Sequence, residues 1–239
     1  MGDIQSELHQ TYRTSLGVVV PSVTGVIGSN LGWGQDALMG WGVKMARQNM
    51  DPNAIKERAG QVGTLAHALI QKFVVELHGA EGTVPQIDLD QWAPAVVRSA
   101  NVAFGAFQDW LAFTGFTPAW SELQLASDAL QYGGTLDMGA RTPNGRNIFV
   151  DFKTSNSIKV GHIVQVAAYH ELYCERFGAV PGEVKILWLG KDARVYQSVD
   201  VHPEQLAAGM RTFRALLAVE TERRTFEQGT SDAWWLQLG

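Results

Sequence analysis

Residues 134–153 read GTLDMGARTPNGRNIFVDFK, two runs of period two, Gly134 to Ala140 and Asn147 to Lys153, around the tripeptide Pro143-Asn144-Gly145. A period of two is that of a β-strand, whose successive side chains point to opposite faces. Asn and Gly accept a positive φ at little cost, so the tripeptide predicts a hairpin turn. In the second run Asp151 and Lys153 then share one face, and Val150 and Phe152 take the other, toward a core.

The hairpin's register decides its chemistry. With a three-residue loop at 143–145, residue 142 pairs with 146, and counting back sets Asp137 opposite Asp151. Opposed side chains lie about 4.5–5.5 Å apart at Cβ, and two like charges there destabilise the pair unless something neutralises them. A divalent cation would do so; hard oxygen ligands suit Mg2+ or Mn2+, and the Lys153 ammonium could position a water or stabilise charge on a phosphate. A two-residue Asn144-Gly145 loop would instead turn the two acids to opposite faces. An Asp–Lys pair is also ordinary on an exposed strand, so the hairpin alone leaves both arrangements open.

Upstream, Trp120 to Ala126 reads as a third strand, with Glu122 able to lean toward the same edge. Helical spacing predicts helices over at least 61–78, where His67 shares a stripe with Gly63, Ile70 and Val74, and from about Leu89 to Phe113. In PSVTGVI, Ser22 can cap a short helix that Gly28, Gly32 and Gly34 interrupt. Downstream, 160–177 is helical and carries Gln165 and Tyr169 as an i,i+4 pair on one face. Val184 to Leu189 and Arg194 to Val201 form a second hairpin, and Pro203-Glu204 opens a last helix to about Arg224. The order is helices, three strands, helix, two strands, helix. No repeat or linker divides the chain, so an α/β (α+β) core at 118–200 carries a mainly helical elaboration at 1–117 and a C-terminal helix and tail at 201–239, as one domain.

Composition narrows the classes. The 239 residues are 46 % hydrophobic and 18 % charged, a globular balance. The single cysteine, Cys174, forms no internal disulfide and holds neither a Cys-rich zinc site nor an iron–sulfur cluster. No run is apolar and long enough to span a bilayer and no secretory leader is seen, so a cytoplasmic protein with no membrane partner is expected. The net charge of −5 argues against a uniformly basic nucleic-acid-coating surface. Acid concentrates in 81–140, seven Asp or Glu against Arg98 alone, while 141–239 is mixed.

Taken in order, GTLAHALIQKF, SELQL, GGTLDMGA, VDFKTS and QVAAYHELY resemble the motif series of the PD-(D/E)xK nuclease superfamily in its RecB-like exonuclease branch, over about residues 21–173. PSVTGVI is similar to a segment near the start of related phage and mitochondrial single-strand exonucleases. The resemblance implies a restriction-endonuclease-like core, a mixed central sheet flanked by helices. It implies metal ligation by His67, Asp137, Asp151 and the backbone carbonyl of Phe152, with Lys153 as catalytic lysine and Glu122 as accessory carboxylate. Gln165 and Tyr169 match the branch's Q-x-x-x-Y motif, which contacts the nucleic-acid backbone. Leu136 stands where the superfamily often has Pro, and the cysteines of iron–sulfur relatives are missing. The implied activity is Mg2+- or Mn2+-dependent hydrolysis of DNA at single-stranded or duplex ends, in phage or bacterial recombination, repair or replication, with a recombination or single-strand-binding protein as a conceivable partner. A structure-specific endonuclease and a catalytically idle nucleic-acid-binding module are the alternatives. Lys44, Arg47, Lys56 and Lys159, with Trp33 or Trp41, are candidates for contacting phosphates and unpaired bases.

Overall fold

The computed structural model describes residues 10–230, with side chains through 227; the tail beyond, to 239, lies outside the described residues. The elements are β1 (Tyr12–Arg13), β2 (Val19–Val20), α1 (Val23–Asn30), α2 (Gln35–Arg47), α3 (Pro52–His78), α4 (Pro94–Thr114), β3 (Thr117–Ser127), β4 (Tyr132–Arg141), β5 (Asn147–Lys153), α5 (Val160–Phe177), β6 (Glu183–Leu189), β7 (Tyr196–Asp200) and α6 (Pro203–Thr230).

Local chemistry sets the helix ends. Ser22 accepts from the Gly25 amide at 3.0 Å to start α1, and Asp51 accepts from Asn53 with Pro52 in the first turn of α3. Gly79, Gly115 and Gly178 close α3, α4 and α5 in the left-handed conformation that glycine adopts without a Cβ penalty. The stretch read as one helix from Leu89 to Phe113 is two: a 3-10 turn at Leu89–Gln91, then α4 from Pro94, whose missing N–H fits only a first turn. Helix α3 begins nine residues before the expected minimum and runs through Gly60 and Gly63. Helix α2 and the small β1–β2 ribbon were not expected from the sequence; α2 buries no residue. Among the described residues no helix is long and apolar enough to cross a membrane.

The main sheet has the order β3-β4-β5-β6-β7. It is antiparallel throughout except for the β5–β6 pair, which is parallel and therefore needs a crossover, supplied by α5. This is a mixed α/β architecture with a five-stranded mixed sheet flanked by helices, consistent with the restriction-endonuclease-like core that the resemblance implies. One face packs on α3 and α4 through Met138, Ala140, Val150, Phe152, Phe107 and Trp110. The other packs on α1, α5 and α6 through Leu136, Phe149, Tyr132, Leu172 and Phe213. Each such large side chain, removed from water, contributes about 1.5–3 kcal/mol. Helix α1 is tied to α6 by Asn30, which donates to Glu220 at 2.9 Å; Glu220, 2 % exposed, is neutralised by Arg223 and Arg224.

The hairpin has the three-residue loop. The Thr142 amide donates to the Arg146 carbonyl at 2.9 Å, Gly145 sits at φ +82°, and Met138 pairs with Val150. The two-residue loop is thereby excluded, and the register carries Asp137 and Asp151 toward each other.

Beyond Met138 the strands cease to be regular. In the β3–β4 ladder Ser121 faces Met138 and Leu123 faces Leu136, while Glu122 and Asp137 between them are unpaired. Glu122 stands at φ +52°, a left-handed conformation unusual for a residue with a long side chain and costly by about 1–3 kcal/mol. Leu136 packs with α5 and α6 whereas Met138 packs with α3 and α4, although residues two apart on a regular strand share a face. The sheet therefore twists sharply at Glu122 and Asp137, and the break turns both carboxylates toward α3.

Candidate active site

Gly63 lets helix α3 approach the end of β5. A Cβ there would stand 3.1 Å from the Thr154 hydroxyl, just past the end of β5. One turn on, His67 Nδ1 lies 3.5 Å from Asp137 Oδ1 and 3.6 Å from Glu122 Oε1. One ligating atom from each of His67, Glu122 and Asp137 falls within 4.8 Å of the others, a spacing able to hold a metal ion. The His67 ring rests edge-on against Phe152, 5.6 Å between centroids, and Phe152 in turn against Phe107 at 5.4 Å, so the core fixes the imidazole from below.

The charges of these groups set one another's protonation. Burial alone would lower the His67 pKa, but the facing Asp137 and Glu122 outweigh it and hold the imidazole up to about 9. Asp137 is raised, by burial first and by Glu122, against the opposing pull of His67 and Lys153. Its Oδ2 accepts from the Phe152 amide at 2.5 Å, and its carbonyl accepts from the Ser121 hydroxyl at 3.1 Å.

Asp151 sits differently. It is fully buried, and its Oδ2 lies 2.5 Å from Lys153 Nζ. Neither oxygen accepts a bond of ordinary hydrogen-bond geometry within the described residues. Burial raises its carboxyl to about 6; Lys153 pulls it down and the Asp137 charge pushes it back up. The turn after Lys153 is held by the Trp188 indole N–H, which donates to the Ser155 carbonyl. On α5, Gln165 Nε2 donates to the Tyr169 hydroxyl at 3.0 Å, and the Tyr169 ring lies over Gly134, where a Cβ would come within 2.5 Å of it.

His67, Glu122, Asp137 and Tyr169 line a cavity of about 540 Å3, which Gln10, Tyr12, Thr135, Thr64 and Gln71 line on its other side. Of the eight residues singled out in the sequence, the structure gathers His67, Glu122 and Asp137 at the cavity wall and packs Asp151 and Lys153 as an ion pair beside them. Phe152 meets the site through its N–H and ring, and Gln165 through Tyr169. Glu122 stands with the candidate ligands rather than at their margin. Gln10, Tyr12 and Thr135 were missed; the one local signal was the adjacent pair Gly133-Gly134, which makes room for two tyrosines. Lys44, Arg47, Lys56, Lys159 and Trp33 are exposed and do not line the cavity.

No protein-family model matches the sequence, and no curated protein matches it. Solved structures do. One is a protein of Eubacterium rectale described as an exonuclease, at 12 % identity and a TM-score of 0.46, matching 69 % of this chain and 68 % of that one. The alkaline exonuclease LHK-Exo of Laribacter hongkongensis is similar at 12 % identity and a TM-score of 0.41, over 72 % of this chain and 92 % of its own. LHK-Exo in complex with dAMP gives 14 %, 0.40, 73 % and 96 % in the same order.

Proposed function

We propose that this chain is a metal-dependent nuclease that hydrolyses phosphodiester bonds of DNA at strand ends, in recombination, repair or replication of a phage or bacterial genome. The observation that carries the reading is the convergence of three side chains able to ligate a metal, from α3, β3 and β4, beside a buried Asp–Lys pair on β5. The donor set fits a hard divalent cation with some borderline character: carboxylate oxygens, one imidazole, and a buried Asp151 whose Oδ1 has no hydrogen-bond partner among the described residues and whose Oδ2 meets only Lys153. His67, Asp137 and Asp151, with the Phe152 carbonyl and with Glu122 as a fourth side chain, would hold Mg2+ or Mn2+. When bound, such an ion polarises the scissile phosphate and makes a bound water more acidic.

The chain's own groups do the rest. To ligate such an ion His67 would give up the proton that the facing Asp137 and Glu122 favour, because a ligating imidazole is neutral. The Lys153 side chain is held by Asp151 behind the candidate ligands, from where it would orient a water or stabilise charge on a phosphate oxygen. Asp137 is locked at both ends, by Ser121 and by the Phe152 amide, so the carboxylate is positioned before substrate arrives. Tyr169, aligned by Gln165, presents a neutral hydroxyl on the α5 side; its pKa is raised by burial and then by Asp151.

The test is digestion of 5′- and 3′-labelled linear and circular DNA with Mg2+, Mn2+ or EDTA. Linear strands should be degraded only with a divalent ion, and circles should survive. Degradation in EDTA, or none under any condition, would overturn the nuclease reading; cleavage of circles would replace end-directed action by an endonuclease.

A further inference from the structure

The cavity has a second wall that the chemistry above does not use. Tyr12, on β1, lies over Gly133 of β4, where a Cβ would come within 2.4 Å of the tyrosine's own Cβ. Its hydroxyl lies 2.8 Å from Thr135 Oγ1 and donates to Gln10 Oε1 at 3.1 Å; Thr135 also donates to Gln10 Oε1, at 2.7 Å. Thr135 precedes Asp137 by two residues, about 7 Å along an extended chain. Each of these three oxygens carries two lone pairs and the two hydroxyl protons fill only part of that capacity, so the cluster can accept from an incoming donor. Among the described residues neither hydrogen of the Gln10 amide has an acceptor. No lysine or arginine lines the cavity, so apart from its metal-binding pole its polar surface is made of hydroxyls and amides.

Such a wall is matched to neutral donors and acceptors rather than to phosphate. Burial raises the Tyr12 phenol above its ordinary pKa, so the hydroxyl keeps its proton at working pH. The volume lies within the roughly 300–1,000 Å3 typical of pockets for one small ligand.

We propose that Gln10, Tyr12 and Thr135 form a nucleoside subsite, which takes the sugar and base of the terminal nucleotide through neutral hydrogen bonds while the opposite pole takes its phosphate. The proposal rests on the nuclease reading and names the part of the substrate that this wall recognises. The hydroxyls are not needed merely to anchor β1, which is already paired to β2 and followed by the bond from the Gly133 amide to the Pro21 carbonyl.

The experiment compares short oligodeoxynucleotides whose terminal nucleotide carries or lacks its base, cleaved with Mn2+ by wild type, Tyr12→Phe, Thr135→Val, the double variant and Thr135→Ser. Thermal melts of each variant check the fold. Losing two neutral hydrogen bonds should raise KM of the double variant about tenfold on the complete substrate and change kcat less than threefold. The double variant should no longer distinguish the abasic end, and Thr135→Ser, which keeps the hydroxyl, should retain more of the preference for the base than Thr135→Val. An active wild type whose folded variants keep both its KM and its preference for the base overturns the subsite and leaves the nuclease reading standing. A wild type that cleaves no oligonucleotide with any metal overturns both.

Discussion

Two acids that face each other across one hairpin have been given opposite environments. Asp137 opens onto the cavity with His67 and Glu122, its charge shared with an imidazole and a backbone amide. Asp151 is sealed, paired with Lys153 and packed above the core. Within the reading proposed here, one pole is built to exchange a proton for an ion, and the other lends a carboxylate to that ion while keeping an ammonium in place. The difference arises because β3 and β4 break at Glu122 and Asp137 while β5 continues as a regular parallel partner of β6 through Lys153.

Damage at the sealed pole should therefore appear in stability as well as in ion binding, and damage at the open pole in ion binding with little change in stability. Lys153→Ala should abolish cleavage and cost about 3–5 kcal/mol at pH 8 by denaturant titration, because it strands a buried carboxylate. The cost should shrink toward pH 5, where Asp151 takes a proton. Asp151→Asn combined with Lys153→Met should recover most of the stability and none of the cleavage.

At the open pole, Mn2+ affinity measured by calorimetry should be flat above pH 9, where His67 is already neutral. Below it, affinity should fall about tenfold per pH unit as the ion displaces one proton, and more steeply below about 6 as Asp151 also protonates. A flat profile from pH 9 to 7 would remove His67 from the ligand set. Glu122→Gln should lower Mn2+ affinity about 10–100-fold, while stability moves within about 1 kcal/mol because the side chain is a quarter exposed. The smallest effect is expected from Ser121→Ala, about 1 kcal/mol, through the lost bond to the Asp137 carbonyl.

Strong local rules made much of this fold legible. The alternation of residues 147–153 and the turn residues at 143–145 predict β5 at its observed bounds, and α5 begins and ends where its spacing places it. Asp137, Asp151 and Lys153 could be related because a hairpin's register follows from loop length. Less was legible where geometry departs from local preference. Glu has no tendency toward the left-handed conformation found at Glu122, so the break that brings its carboxylate to His67 leaves no mark in the sequence. Helix α2 buries nothing, and Gly40 and Gly42 interrupt its pattern, so no apolar stripe announces it. Tyr12 and Thr135 meet across 123 positions through a glycine's missing side chain, a contact that periodicity does not encode.

The most direct test is a calorimetric titration of Mn2+ into wild type and Asp137→Asn at pH 8, under conditions where both are folded. A saturable site is expected in wild type that weakens at least tenfold in the variant. Equal binding by the two proteins, or no site in wild type, would contradict it.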